Sequence, residues 1–240
     1  MKTFRMVAKF TTLVSAATML AAPASASAQQ VVGRVPTESV IHDLNDGQRF
    51  GVFTGWLATG RDPAGVRAHS APLFGVRYDL IMGAPAYLSL RMFGMKSDHD
   101  VVDPNAPAAN RAAGTATANQ IGGDASLQIS LTGERTWHGV QPLVNIGIGV
   151  IAGVANHFDA GKYAPGASVV YSYGLSARMP TGKNGDFRLD LGWLIYQVRY
   201  PETFRVTTAS DNVAIRATGS LTPLTTNRAI TFSYTWGLFR

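Results

Sequence analysis

Six charged residues, Arg77, Asp79, Arg91, Arg178, Arg188 and Asp190, stand in two groups of like composition. In each group two arginines flank a short turn, and a carboxylate stands two residues from one of them. Guanidinium and carboxylate so placed either lock into hydrogen-bonded ion pairs or, where cations outnumber anions, draw anions toward a constriction. The other residues able to do chemistry are scattered. His42, His69, His99, His138 and His157 all fall in connecting stretches. A strand carrying a nucleophile and its base would show them at alternate positions, and the chain has no His-x-Ser pair; His69 and Ser70 are adjacent, so their side chains diverge. Asp98, His99, Asp100 and Asp103, with His157 and Asp159, are of divalent-cation-binding type, but their spacing matches no loop that fixes ligand geometry, and solvated loops are the plainer reading. Gly147, Gly149 and Gly153 lack the following helix that a phosphate-binding glycine set needs. With no cysteine in the chain, thiol chemistry and a disulfide framework are excluded. The residues therefore point to no catalytic group, no cofactor and no metal site.

What positions the six charges is a series of eight extended segments whose residue character alternates with period two. The first, about 48–59, alternates least cleanly, with Phe50, Val52 and Trp56 on one side and Phe53 and Leu57 on the other. The next two, about 71–81 and 86–97, set Phe74, Val76, Tyr78, Leu80, Leu88, Leu90 and Met92 against Gly75, Arg77, Asp79, Ser89 and Arg91. The segments at about 121–132 and 140–151 set Leu127, Ile129, Ile146 and Ile148 against Asp124, Ser126, Gln128, Gln141, Asn145 and Gly147. Those at about 167–179 and 187–199 set Tyr171, Tyr173, Leu175, Leu189, Leu191 and Trp193 against Ser172, Ser176, Arg178, Arg188 and Asp190. The last, Ile230 to Arg240, sets Ile230, Phe232, Tyr234, Trp236 and Leu238 against Thr231, Ser233, Thr235 and Gly237.

The connectors alternate in length. Residues 60–70, 98–120, 152–166 and 200–227 are long; 82–85, 133–139 and 180–186 are short. That rhythm fits an antiparallel meander with tight turns at one end and loops at the other. Eight strands enclose an interior just wide enough for side chains, and the rows of Leu, Ile, Trp and Tyr would overfill it. The small and polar face is therefore expected inside, and the apolar face outside, against lipid. A soluble ligand-carrying barrel needs the reverse. Trp56, Trp137, Trp193, Trp236, Tyr78, Tyr87, Tyr171 and Tyr173 are expected at the membrane–water interfaces, where an amphipathic ring is at home.

Upstream, Lys2, Arg5 and Lys9 precede an apolar run from Phe10 to Ala22 and the small-residue site Ala26-Ser27-Ala28, the pattern of a secretory signal peptide over residues 1–28. Its apolar run is too short to span a bilayer as a helix. Removing it leaves a chain starting at Gln29 and lowers the formal charge from +6 to about +3, so the basic balance is no argument for nucleic acid. Residues 29–47 read as a periplasmic lead-in with a short helical turn around Glu38 to Leu44, and 48–240 as the barrel.

The alternating segments, the leader, the long and short connectors and the aromatic closing strand make residues 48–240 resemble the small outer-membrane barrels of the OmpA/OmpX class. The resemblance implies an all-β fold, an eight-stranded antiparallel up-and-down transmembrane β-barrel in the outer membrane of a Gram-negative-type envelope. It also implies the partners: outer-membrane lipid around the barrel, the barrel-assembly machinery engaged through Ile230 to Arg240, and a surface ligand at the outer loops. Class members serve as adhesins, envelope-stabilising proteins, narrow channels or lipid enzymes. The lipid A deacylase family, of similar size, presents a His and a Ser on one lipid-facing strand, a pair absent here. The expected role is accordingly non-enzymatic, structural or surface-interacting through the outer loops; the alternative is a narrow, anion-preferring channel.

The lumen charges decide between those two. An antiparallel register centred on Ala84 sets Arg77 opposite Arg91 with Asp79 diagonal to Arg91, and one centred on Lys183 sets Arg178 opposite Arg188 with Asp190 diagonal to Arg178. Buried charges persist when paired and hydrogen-bonded. The expectation is an interlocked Arg/Asp plug; the channel reading rests on four cations against two anions.

Overall fold

The computed structural model describes residues 41–43, 47–60, 62, 64–83, 85–154, 163–181, 184–207 and 211–238. The segment read as a signal peptide, the lead-in before Ile41, His157 and Asp159, the turn centres Ala84 and Lys183, and the final Phe239-Arg240 lie outside the described residues.

The strands in chain order are β1 Ile41–Asp43, β2 Arg49–Ala58, β3 Ala71–Gly83, β4 Ala86–Met95, β5 Asp98–Val102, β6 Ala112–Thr117, β7 Gln120–Ser130, β8 Arg135–Trp137, β9 Gln141–Gly153, β10 Ser168–Thr181, β11 Gly185–Gln197 and β12 Leu224–Gly237. Eight of them close a barrel in the order β10-β11-β12-β2-β3-β4-β7-β9. Every neighbouring pair is antiparallel, and β12 closes on β2 with Trp236 opposite Phe50. Closure leaves no barrel strand with an unpaired edge. The period-two pattern becomes an inside and an outside. Met92, Ile146 and Val150 stand 69%, 66% and 59% exposed on the outer wall, while Arg77, Ser126, Ser172 and Thr231 are buried inside.

The interior is not small and polar throughout. Toward the long-loop end, Phe53, Leu57, Leu73, Phe93, Ile151, Val170, Leu194 and Tyr196 form an apolar core. Val66, Tyr163, Tyr200 and Phe204 from the long loops join it. Glycines on the same inward face make the room. A Cβ at Gly75 would lie 2.7 Å from Phe53 Cζ, and one at Gly122 would lie 2.6 Å from Phe93 Cζ. Large rings beside glycines fill a narrow barrel without overfilling it. The ambiguous first segment is settled by this: Phe53 and Leu57 face in, whereas Val52 and Trp56 face out.

Three connectors carry structure that their sequences did not announce. Residues 41–43 are extended rather than helical, and pair with β8. They cover the edge that Arg135–Trp137 presents within the short connector 133–139. That connector itself reverses through His138 (φ 50°) and Gly139 (φ 75°). Reciprocal Trp137–Val140 backbone hydrogen bonds of 2.8 and 3.0 Å close the turn. Two consecutive left-handed residues are what a two-residue hairpin turn requires. The long connector 98–120 holds the β5–β6 hairpin. Finally, β12 begins at Leu224 and β11 at Gly185, so Thr225, Asn227 and Asp186 belong to the barrel rather than to loops.

Candidate functional site

The register across β3–β4 sets Arg77 opposite Arg91, and that across β10–β11 sets Arg178 opposite Arg188. All six charged residues of the two groups point into the lumen, toward the short-turn end, and the barrel's curvature brings the groups together. Asp190 is the junction. It accepts from Arg77 Nη1 at 3.0 Å, from Arg188 Nε at 2.7 Å, from Thr231 Oγ1 at 3.3 Å and from Ser176 Oγ. Arg77 and Asp190 are 113 residues apart, so this pair ties β3 to β11 across the lumen.

Arg77 is the most deeply buried large side chain of the group. Its Nε and Nη2 both donate to Asp79 at 3.2 Å, a two-point fork, and Nη2 also reaches Ser89 Oγ at 3.2 Å. Arg188 completes its set with Gln128 Oε1 and Ser176 Oγ, each at 2.8 Å, and lies 3.8 Å from Asp79. Charge-assisted forks of this kind fix geometry as well as charge.

Two of the diagonal pairings differ from the sequence-based expectation. Arg91 turns away from Asp79 and forks onto Asp124, its neighbour on β7, with Nε donating at 2.8 Å. Arg178 pairs not with Asp190 but with Asp186, at 3.2 Å, and donates to Gln141 Oε1 at 2.9 Å. Arg49 at the start of β2 also donates to Asp186, which accepts from Thr235 Oγ1 at 3.1 Å. Asp124, Asp186 and Arg49 are thus members of the cluster that sequence reasoning left out. Asp124 lies on the inward face but far from a turn, Asp186 was assigned to one, and Arg49 is the first residue of its strand. Counting charge along the whole inward face would have found all three. With them the cluster holds five arginines and four aspartates, and the cation surplus shrinks from two to one.

Tyr87 is a further correction. It faces inward rather than to a membrane interface, and its phenol oxygen accepts from Gln141 Nε2 at 3.2 Å. Its strand neighbour Leu88 takes the outward place, because Ser89 and Arg91 fix which side of β4 faces the lumen. Several of the other aromatics pack in pairs on the wall. Phe50 packs edge-on against Trp236 at 5.3 Å, Phe187 lies 5.1 Å from Tyr234, and Tyr173 stacks on Trp193 at 5.2 Å.

Among the described residues the lumen beside the charges holds two small cavities. One, of about 20 Å³, is lined by Arg91, Asp190, Phe53 and Phe93; the other, of about 10 Å³, by Arg49, Asp79, Arg178 and Arg188. Arg77 lines neither. Each has room for little more than one water.

The described residues of metal-binding type do not converge. Among the described residues no group of three or more His, Asp or Glu could hold a cation. His99 is buried edge-on against Tyr163, whereas Asp103 caps a turn by accepting from the Asn105 amide at 2.9 Å. His69 Nε2 meets Asp100 at 3.2 Å on the surface, while Ser70 Oγ accepts from the Thr59 amide. The two neighbours therefore do point apart. Above the barrel the loops are tied together: Tyr200 donates to Asp62, and the Ala108 amide donates to Asp211 at 2.6 Å. Burial and the hydrogen bond to Asp62 push the Tyr200 phenol well above its ordinary value.

No family model matches the chain, and no curated protein matches it. Among solved structures it is similar to the crystal structure of the outer membrane protein OprG from Pseudomonas aeruginosa. That likeness has a TM-score of 0.47 at 13% identity, over 83% of this chain and 100% of that one.

Proposed function

We propose that this protein spans an outer membrane as a closed, non-conducting barrel without enzymatic activity, and that its working surface is the set of long loops. The observation that carries the reading is the inverted distribution of polarity. Large apolar side chains cover the outer wall, while ion-paired arginines and aspartates fill the short-turn half of the inside. An apolar belt of that extent is untenable in water, and strands of 10–14 residues are long enough to cross a bilayer at a tilt. Where backbone groups must all be satisfied, a closed barrel is the one sheet that can cross. In this reading outer-membrane lipid surrounds the barrel, the C-terminal segment Ile230 to Arg240 is presented to the assembly machinery, and a surface ligand would meet the loops. The Arg/Asp layer acts as a plug, because side chains ion-paired to within one charge leave little room and little field for solute passage. The narrow anion channel would require the plug to part.

The absence of native cysteine makes topology directly measurable. Thr115→Cys in the β5–β6 hairpin should react with a membrane-impermeant maleimide on intact cells. Glu134→Cys, in a short connector, should react only after lysis. Equal labelling of both in intact cells would refute the orientation.

A further inference from the structure

We propose that Arg67 is the anchor of an anion-binding site at the long-loop end of the barrel, one that takes a small carboxylate. Arg67 lies in the β2–β3 connector, yet is only 4% exposed. Its Nη2 donates to Tyr196 Oη at 3.4 Å, and the Tyr196 ring lies 5.3 Å from its guanidinium carbon. Nε and Nη1 are buried and donate to no described residue. A guanidinium is a permanent cation with five donors, and leaving a buried one without an anion is costly. The acid in its own connector does not serve it. Asp62 accepts from the backbone amides of Ala64 and Arg67 and from the Tyr200 phenol.

The contrast with the plug is informative. Inside the barrel Arg77, Arg91, Arg178 and Arg188 each reach an aspartate. Arg67 instead borders a cavity of about 20 Å³, which Gln120, Ser168, Tyr196 and Arg199 also line, and no described residue lining it is acidic. Gln120 Oε1 is likewise buried and unpartnered there; turned over, the amide offers an N–H to the same space. Ser168 and the exposed Arg199 lie at the rim. Ser168 Oγ already donates to the Gln197 carbonyl at 2.7 Å, so the donors left for a ligand are two guanidinium groups and a reorientable amide. Around space for one or two water-sized groups, these suit the two oxygens of a carboxylate. A phosphate, with its additional oxygens, is the poorer fit. The site shares no residue with the Arg/Asp plug, and it stands whether or not the lumen conducts.

The test is calorimetric titration of the refolded, detergent-solubilised protein with sodium acetate at fixed ionic strength, with acetamide and inorganic phosphate in parallel. Acetate should bind saturably, acetamide should not, and phosphate should bind more weakly. Arg67→Gln, checked for folding by its heat-dependent gel mobility, should lose at least about tenfold in acetate affinity. Arg199→Gln, an exposed change, should weaken binding several-fold and keeps the proposal testable if Arg67→Gln does not fold. Absence of saturable acetate binding in the parent, equal binding of acetamide, phosphate binding tighter than acetate, or unchanged affinity in either folded variant would overturn it.

Discussion

Asp190→Asn is the substitution to which the lumen should be most sensitive, because both carboxylate oxygens of Asp190 are committed to different guanidinium groups. Oδ1 takes Arg188 Nε and Oδ2 takes Arg77 Nη1. An asparagine keeps one oxygen. Whichever way the amide is turned, its NH2 then confronts an arginine N–H, donor against donor. The change also removes the negative charge that both arginines hydrogen-bond. Arg77 retains Asp79, but Arg188 is left with Asp79 at 3.8 Å and with neutral acceptors. Breaking a buried pair costs about 3–5 kcal/mol, and the two-sided conflict places Asp190→Asn in that range. Asp79→Asn should cost less, since Asp79 takes its guanidinium hydrogen bonds from Arg77 and stands 3.8 Å from Arg188. Urea titration of folding into lipid vesicles, read by heat-dependent gel mobility, gives both numbers. Adding Arg188→Gln to Asp190→Asn should restore part of the loss. An unchanged midpoint in Asp190→Asn would refute the pairing scheme.

The outer wall and the loops offer three further checks. Ile146→Arg, on the exposed face of β9, should destabilise insertion by about 2–4 kcal/mol near mid-membrane, and Asn145→Arg, turned inward, by less; equal effects would invert the face assignment. Gly75→Ala and Gly122→Ala should each lower stability by about 1–3 kcal/mol, because the added methyl meets Phe53 or Phe93 and nearby backbone oxygens; wild-type unfolding curves would contradict the apolar upper lumen. The Tyr200–Asp62 tie should depend on pH. A phenol whose folded value is raised contributes stability that is full below its ordinary value of about 10 and is lost as pH rises through the folded value. Protease nicking of the β11–β12 loop should therefore rise above that pH in the parent, and the step should vanish in Tyr200→Phe.

The barrel was legible because a two-sided strand writes its faces into alternate residues, as in Arg77, Asp79 and Arg91 against Val76, Tyr78 and Leu90. Chain reversal at short turns then gave the register that pairs Arg77 with Arg91. The apolar upper lumen was harder to read, since Phe53 and Leu57 alternate with Gly51 and Gly55 and look like neither face. Their burial depends on glycines of neighbouring strands, which period-two reasoning along one strand does not register. β1, β5, β6 and β8 are short ribbons of mixed composition that pair outside the barrel, β1 with β8 and β5 with β6, and are too short to write a long alternating pattern. The ion-pair partners followed from position around the barrel, not along the chain: Asp190 reaches Arg77 over 113 residues. Arg67 gave no signal at all, because nothing in a loop sequence distinguishes a buried arginine from a solvated one.

The most direct measurement is the conductance of the purified, refolded protein in a planar lipid bilayer. A lumen closed by five arginines and four aspartates should pass no steady current at neutral pH, and Asp190→Asn, if it inserts, should be the first variant to leak. A steady anion-selective current through the unaltered protein would contradict the plug and make the chain a channel.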